Sequence, residues 1–239
     1  LIIGTNSLLD EILTELNGHA LSRTMVKLVS SFSADQIAID DPHLFPKLDL
    51  VIQKGNTVSR PLLTEMIHSD FDCIFVLADD SDGGDADARS IMTILMLGDI
   101  INHCKDRRIP RVVLELKDSR NRDLVKDSIA SEIVVSSNLV SIVMAQISQY
   151  PVVGPVYREL LSAGGIQISL RTPDHYNLLN QRVMHSDLIA MGLEEFETVV
   201  GIIVSRPNGI EVVLSPDTSQ AWMLNSGDRI IVLSQQLYN

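Results

Sequence analysis

Five aspartates crowd a nine-residue stretch, Asp79, Asp80, Asp82, Asp85 and Asp87. Carboxylate oxygens are hard ligands, and a calcium ion gathers six to eight of them. A cation site is therefore the first chemistry this spacing allows, with Asp80, Asp82, Asp85 and Asp87 able to form one locally. The run Asp-x-Asp-Gly-Gly-Asp-x-Asp is not an EF-hand loop, because no bidentate glutamate follows at its twelfth position. The alternative is a solvated acidic loop with Asp87 near a helix N-terminus, where negative charge is favoured.

A second candidate lies at the start of the chain. Leu1 to Gly4 reads as a buried strand that turns into a helix, as a dinucleotide fold begins. Glycines there let the backbone turn tightly and approach a pyrophosphate. Here Gly4 is followed by Thr5, Asn6, Ser7, Leu8 and Leu9, so the later glycines are missing. The second strand ends in Val29-Ser30-Ser31 rather than in an acid for ribose hydroxyls. Gly4, Asn6 and Ser30 remain the positions that a nucleotide would meet, with helix-start N–H groups able to hold a phosphate.

No catalytic constellation stands out, and the chain reads as a non-enzyme. There is no nucleophile elbow and no histidine pair at metal spacing. The six histidines, His19, His43, His68, His103, His175 and His185, are scattered at helix ends and loops, the pattern of solvent-facing residues. Cys73 and Cys104 are the two cysteines, expected as small core residues in a reducing compartment.

The elements that carry these residues follow from apolar patterning. Ile74 to Ala78 is a continuous apolar run, as in a strand buried on both faces. It leads into the acidic loop and then a helical pattern through Ile91, Ile94, Leu95, Leu97 and Ile101. Strands are also expected at Met25 to Val29, Leu50 to Ile52, Arg111 to Leu116 and Glu132 to Val135. Helices at Leu8 to Leu16 and Pro61 to His68 separate them, which means a parallel sheet with right-handed crossovers. In such a sheet, ligands sit at the carboxyl ends of the strands.

After Ser136 the pattern changes. Leu139 to Ser148 and Val153 to Leu161 are helical, bent at Gln149-Tyr-Pro151, and end at Gly164-Gly165. Strands at Ile166 to Leu170, Val199 to Val204, Ile210 to Leu214 and Arg229 to Leu233 follow, with a hairpin turn at Pro207-Asn208-Gly209. The expected architecture is α/β: a Rossmann-like parallel-sheet lobe over 1–136, a bent crossover helix pair over 137–165, and a small α+β lobe over 166–239.

Composition bounds the function. With 45% hydrophobic but 4% aromatic residues, the core is aliphatic. A net charge of −12 argues against nucleic acid as a partner, since a phosphate backbone needs a basic face, and fits cation association or solubility. No apolar run approaches the roughly 20 residues of a membrane span. The chain opens directly on a strand, with neither initiator methionine nor leader, and is expected to be a piece of a longer polypeptide.

Several segments form a set: Gly55-Asn-Thr-Val-Ser-Arg-Pro-Leu-Leu63, Val76-Leu-Ala-Asp-Asp80 with Asp85-Ala-Asp-Ala-Arg-Ser90, and Val112-Val-Leu-Glu-Leu-Lys-Asp118. Pro155-Val-Tyr-Arg-Glu-Leu-Leu161 and Asn225-Ser-Gly-Asp-Arg-Ile-Ile-Val-Leu233 complete it. Together they resemble the RCK (regulator of potassium conductance) domain, in the version found in Castor/Pollux ion channels and their bacterial relatives. The resemblance spans nearly the whole chain and is nearer to the first of the two tandem units in such channels.

It implies a gating-ring domain on the cytoplasmic face of a membrane, which binds a ligand and couples lobe motion to a cation or potassium pore. The expected partners are further copies in a ring and a membrane pore domain in the parent chain. The apolar stripe of Leu139, Val143, Met144 and Ile147, with Val152, Val156 and Leu160, would then be subunit interface. In calcium-gated relatives, carboxylates ending the fourth strand meet others ending the fifth. Asp79 and Asp80 hold the first place here and Glu115 the second, while Lys117 stands where that site has a further acid. Ca²⁺ or another cation is the implied ligand, and an NAD-type nucleotide is disfavoured. A soluble nucleotide-binding subunit of a potassium uptake system and an NAD(P)-dependent oxidoreductase are the other readings.

Overall fold

Ile74 and Val76 lie fully buried in a central strand, Cys73–Val76, and the burial continues through Leu77 and Ala78. The computed structural model describes residues 1–37, 39, 44–67, 69, 71–79, 85–103, 108–162, 164–207 and 209–235. Asp80, Asp82, His43, His68, Cys104 and Asn208 lie outside the described residues. The chain divides into two units, Leu1–Pro151 and Val152–Asn239.

The first unit is built on six parallel strands: β1 (Ile2–Ile3), β2 (Thr24–Ser30), β3 (Leu48–Lys54), β4 (Cys73–Val76), β5 (Arg111–Leu116) and β6 (Glu132–Val135). Their order is β3-β2-β1-β4-β5-β6. The chain winds outward from β1 to β3 and then returns to lay β4 on the other side of β1. The carboxyl ends of β1 and β4 therefore flank the switch point, where a crevice opens.

Because side chains alternate along a strand, each face of this sheet builds its own core. Ile3, Val76 and Leu114 pack on one side with Leu63 and Met66 of α2 (Arg60–Ile67) and Ile94 and Leu97 of α3 (Ala86–His103). Ile2 and Leu28 pack on the other with Leu9 and Leu13 of α1 (Leu9–His19). Leu13 and Leu97 are wholly buried, and trimming either to alanine costs about 2–5 kcal/mol. The unit closes with α4 (Arg122–Val125) and α5 (Ser136–Gln149).

The second unit begins with α6 (Val153–Leu161) and β7 (Ile166–Arg171). It continues through β8 (Arg182–Met184), α7 (His185–Glu194), β9 (Thr198–Arg206), β10 (Gly209–Leu214), β11 (Ala221–Met223) and β12 (Arg229–Gln235). An antiparallel sheet of order β10-β9-β12-β7 and a β11-β8 ribbon result. Leu188 of α7 packs with Ile202, Trp222, Ile230 and Val232 in its core.

The helix after the acidic loop starts at Ala86, ahead of its apolar pattern, because the Asp85 side chain accepts the N–H groups of Asp87 (3.1 Å) and Ala88 (3.2 Å) and caps it. The segment 182–194, to which the sequence pattern assigns no element, forms β8 and α7. One expectation needs correction: His185 is not solvent-facing but buried at the start of α7, with Nδ1 making no hydrogen bond.

Candidate functional site

The crevice at the switch point is assembled around Gly4. Its φ of +90° favours glycine, and a Cβ there would lie 2.8 Å from Leu77 O. Only a residue without a side chain lets the end of β1 lie this close to the end of β4. Gly4 N–H donates to Val29 O (2.9 Å), and Leu77 N–H donates to Ile3 O (2.9 Å).

Two residues further, Asn6 crosses the sheet. Its amide Nδ2 donates to Ala78 O (3.2 Å) and to Glu115 Oε2 (2.8 Å), while its Oδ1 accepts from Leu8 N–H (3.0 Å). Glu115 Oε2 also accepts from Ala78 N–H (3.1 Å). One buried carboxylate oxygen thus joins the ends of β1, β4 and β5. Asp79, the residue beyond Ala78, is buried beside them. An open groove of about 520 Å³ runs along this edge, lined by Asn6, Ser7, Glu115, Lys117, Ser137 and Ser141 among others.

Asp87 does something else. It is buried in the first turn of α3, and its Oδ1 accepts Lys117 N–H (2.7 Å). Its Oδ2 accepts Asp118 N–H (2.9 Å) and Asn121 Nδ2 (2.7 Å). The carboxylate therefore fixes the turn leaving β5, and with it the position of Lys117. Just beyond, Arg120 hydrogen-bonds the exposed Asp118 side chain and holds its carboxyl down to about 2.

Among the described residues, no three His, Cys, Asp or Glu side chains gather into a group that could hold a metal. A calcium cage needs six to eight oxygens. Both Asp87 oxygens are committed to donors, Asp85 caps a helix, and one Glu115 oxygen already takes two hydrogen bonds. These carboxylates do not make such a cage by themselves. Ser30 is fully buried, and its Oγ accepts Phe32 N–H (3.1 Å), which closes its own turn. Asn6 is also spent on protein partners. Of the residues singled out from the sequence, Gly4, Asn6, Asp79 and Glu115 converge on the crevice, while Asp85 and Asp87 shape its surroundings. The serines at the start of α5 escaped notice, since nothing in their local pattern marks them as facing the end of β5.

No protein-family model matches the chain. It is 26% identical over 221 residues to a probable ion channel, POLLUX, of Oryza sativa subsp. japonica, covering 79% of this chain and 22% of that one. The ion channel POLLUX of Lotus japonicus is 25% identical, covering 78% of this chain and 23% of its own length. A probable ion channel CASTOR from rice is 26% identical, with 79% and 24% covered. The chain thus spans about a quarter of these relatives. Among solved structures, the human SLO3 gating ring superposes with a TM-score of 0.59 at 14% identity, covering 87% of this chain and 41% of that one. Among the described residues, no helix is long and apolar enough to cross a membrane. The chain is similar to one segment of the Castor and Pollux ion channels, and its fold is that seen in the human SLO3 gating ring.

Proposed function

We propose that this chain is a cytosolic, non-enzymatic regulatory unit of a cation channel, with potassium the expected ion. A ligand meets it at the carboxyl edge of β1, β4 and β5. The observation that carries this reading is the Glu115 carboxylate, whose Oε2 binds all three strand ends while its side chain lines the open groove. A ligand that engages Glu115 or the neighbouring Lys117 favours one arrangement of these ends over another. Such differential affinity, and not tightness, is what shifts a gate.

Assembly into a ring fits the two helices α5 and α6. Neither contains a single buried residue, although Leu139, Val140, Ile142, Met144, Val152 and Val156 are large aliphatics left exposed. Helices rich in aliphatics that bury none of them are built for contact with another subunit.

Isothermal titration of the chain with Ca²⁺, ADP and NAD as probes tests the ligand site. Binding of a probe that weakens at least tenfold in Glu115→Gln is the expected result. Undiminished binding in the variant, or no binding of any probe, contradicts the placement at Glu115.

A further inference from the structure

The β8–β11 ribbon is a small sheet of its own, apart from the four-stranded one, and it ends on a buried titratable group. Three residue pairs join its strands: Met184 with Ala221, Val183 with Trp222 and Arg182 with Met223. A two-stranded ribbon is marginal in water unless one of its faces packs on a core. Alternation supplies that face here. Val183 and Trp222 are paired and buried with Leu188, Ile202 and Ile230, while Arg182, Met184 and Met223 on the other side are exposed. Met184 is extended (φ −81°, ψ 151°), so His185 follows Val183 on the buried side.

His185 is 3% exposed and Trp222 8%. Among the described residues, neither His185 Nδ1 nor Trp222 Nε1 has a hydrogen-bond partner. Backbone bonds carry the ribbon past this point: His185 N–H donates to Gln220 O (2.9 Å) and Ser186 N–H to Thr218 O (3.0 Å). The imidazole therefore sits at the joint where the ribbon becomes α7.

A neutral imidazole is tolerated at such a place and an imidazolium is not. Once protonated, both ring nitrogens are donors, and a buried donor on a charged ring is costly without an acceptor. The charged groups of the surrounding elements do not offset that cost. Asp187 on α7 and Asp217 ahead of β11 are exposed, and Asp217 accepts Ser219 N–H (2.8 Å). Glu197 ahead of β9 accepts from Arg171 and Tyr176, and Asp228 ahead of β12 accepts the N–H groups of Ser205 and Asn225. Arg182 on β8 has the same sign as an imidazolium. Burial alone acts on the imidazole, and it lowers the pKa.

We propose that His185 and the β8–β11 ribbon form a proton-operated latch: a proton on the imidazole releases the ribbon and the start of α7 from the core of the second unit. The rest of that core stays folded, so the release is a change of state and not denaturation. It gives the unit a proton as an input of its own, independent of any ligand or ion that the first unit meets at Glu115.

Hydrogen exchange of the intact chain, corrected for the intrinsic rate at each pH, reads the latch even when the open form is rare. Below the ordinary histidine value near 6.5, each pH unit raises the open population about tenfold, because the open form takes up a proton that the closed form does not. The amides of His185 and Ser186 should therefore lose about tenfold in protection between pH 6.5 and pH 5.5. Urea separates local release from unfolding of the whole unit, since its effect scales with the surface exposed. The ribbon amides should exchange faster than those of Ile202 and Ile230 and respond to urea much more weakly. His185→Leu should abolish the pH dependence of the ribbon, read at Ser186 and at Leu224, whose N–H donates to Gln181 O; His185→Asn replaces it if circular dichroism shows the leucine variant unfolded. The unit's other histidine, His175, meets the Tyr176 ring edge-on at 4.8 Å, and His175→Gln should leave the pH dependence in place. Ribbon protection that does not change with pH, that changes equally in the His185 variant, or that loses its pH dependence in His175→Gln overturns the proposal. Exchange at the ribbon with the same rate and urea dependence as at Ile202 and Ile230 overturns it too, because the ribbon then opens only when the whole unit does.

Discussion

Asn6 donates to Glu115 Oε2 at 2.8 Å across 109 positions of sequence. This contact, together with Ala78 N–H on the same oxygen, makes the crevice part of the sheet's own hydrogen bonding. Replacing Glu115 by alanine leaves the Asn6 amide and the Ala78 N–H short of a partner. Urea unfolding should show a loss of about 1–3 kcal/mol. Glu115→Gln, which keeps one carbonyl acceptor, should lose less.

Asp85 and Asp87 differ by two positions and should differ in consequence. Asp85→Ala removes a helix cap, worth about 1 kcal/mol. Asp87→Ala removes three hydrogen bonds to a buried carboxylate, each of the charge-assisted kind worth roughly 1.5–3 kcal/mol. Hydrogen exchange at the amides of Lys117 and Asp118 should accelerate in Asp87→Ala and stay unchanged in Asp85→Ala.

These two residues also mark what could be read from the sequence. The apolar runs of the first unit announce its strands, and the Gly4 and acidic-loop positions fall at the switch point as α/β topology requires. From the sequence Asp87 reads as a cation ligand or a solvated loop acid, because its partners, Lys117, Asp118 and Asn121, lie some thirty residues downstream in another turn. Local patterning carries no trace of such a contact. The segment 182–194 was missed for a related reason: β8 is short and pairs with β11 about forty residues away, so neither strand shows a full alternation. The resemblance to gating-ring domains rested on segments that now have physical roles. In Asn225-Ser-Gly-Asp-Arg, Asp228 is buried and accepts Ser205 N–H (2.9 Å) and Asn225 N–H (2.7 Å), which clamps the turn.

The second unit should be sensitive to acid through His185. Burial lowers its pKa, so the unfolded chain takes up a proton before the folded one does. Stability is full above the ordinary histidine value near 6.5 and falls as pH drops from there toward the folded value. His185→Leu should flatten that slope in thermal melts between pH 7 and pH 5; a slope identical to wild type would exclude His185 as its source.

Glu197 supplies a separate acid-sensitive step. It accepts from Arg171 and from Tyr176 Oη (2.6 Å). Burial pushes its carboxyl up, but the Arg171 and Tyr176 hydrogen bonds prevail and hold it below its ordinary value. Its contribution is present above the unfolded glutamate value and is lost as pH falls through the folded one. Glu197→Gln should destabilise the unit at pH 7 and leave it less affected by acid below pH 4.5, the ordinary value for this carboxyl. Chemical denaturation at the two pH values separates the cases.

Phe196 is held at φ 58°, almost fully exposed, at the end of α7. Its N–H donates to Leu193 O (3.2 Å) and Glu197 N–H donates to Gly192 O (2.8 Å), the paired bonds that usually close a helix on glycine. A left-handed conformation costs a side chain roughly 1–2 kcal/mol. Phe196→Gly should therefore raise stability by about 0.5–1 kcal/mol, after the entropy cost of glycine; a loss of stability in urea unfolding would show that the ring makes an unrecognised contact.

The regulatory reading is tested most directly by ion flux through a channel that carries this chain as a segment, reconstituted in liposomes, comparing wild type with Glu115→Gln at equal protein and equal assembly. A strand-end carboxylate that reads a gating ligand predicts a several-fold change in potassium flux, with the pore's ion preference unaltered. Identical flux in both proteins across the same ligand conditions would contradict it.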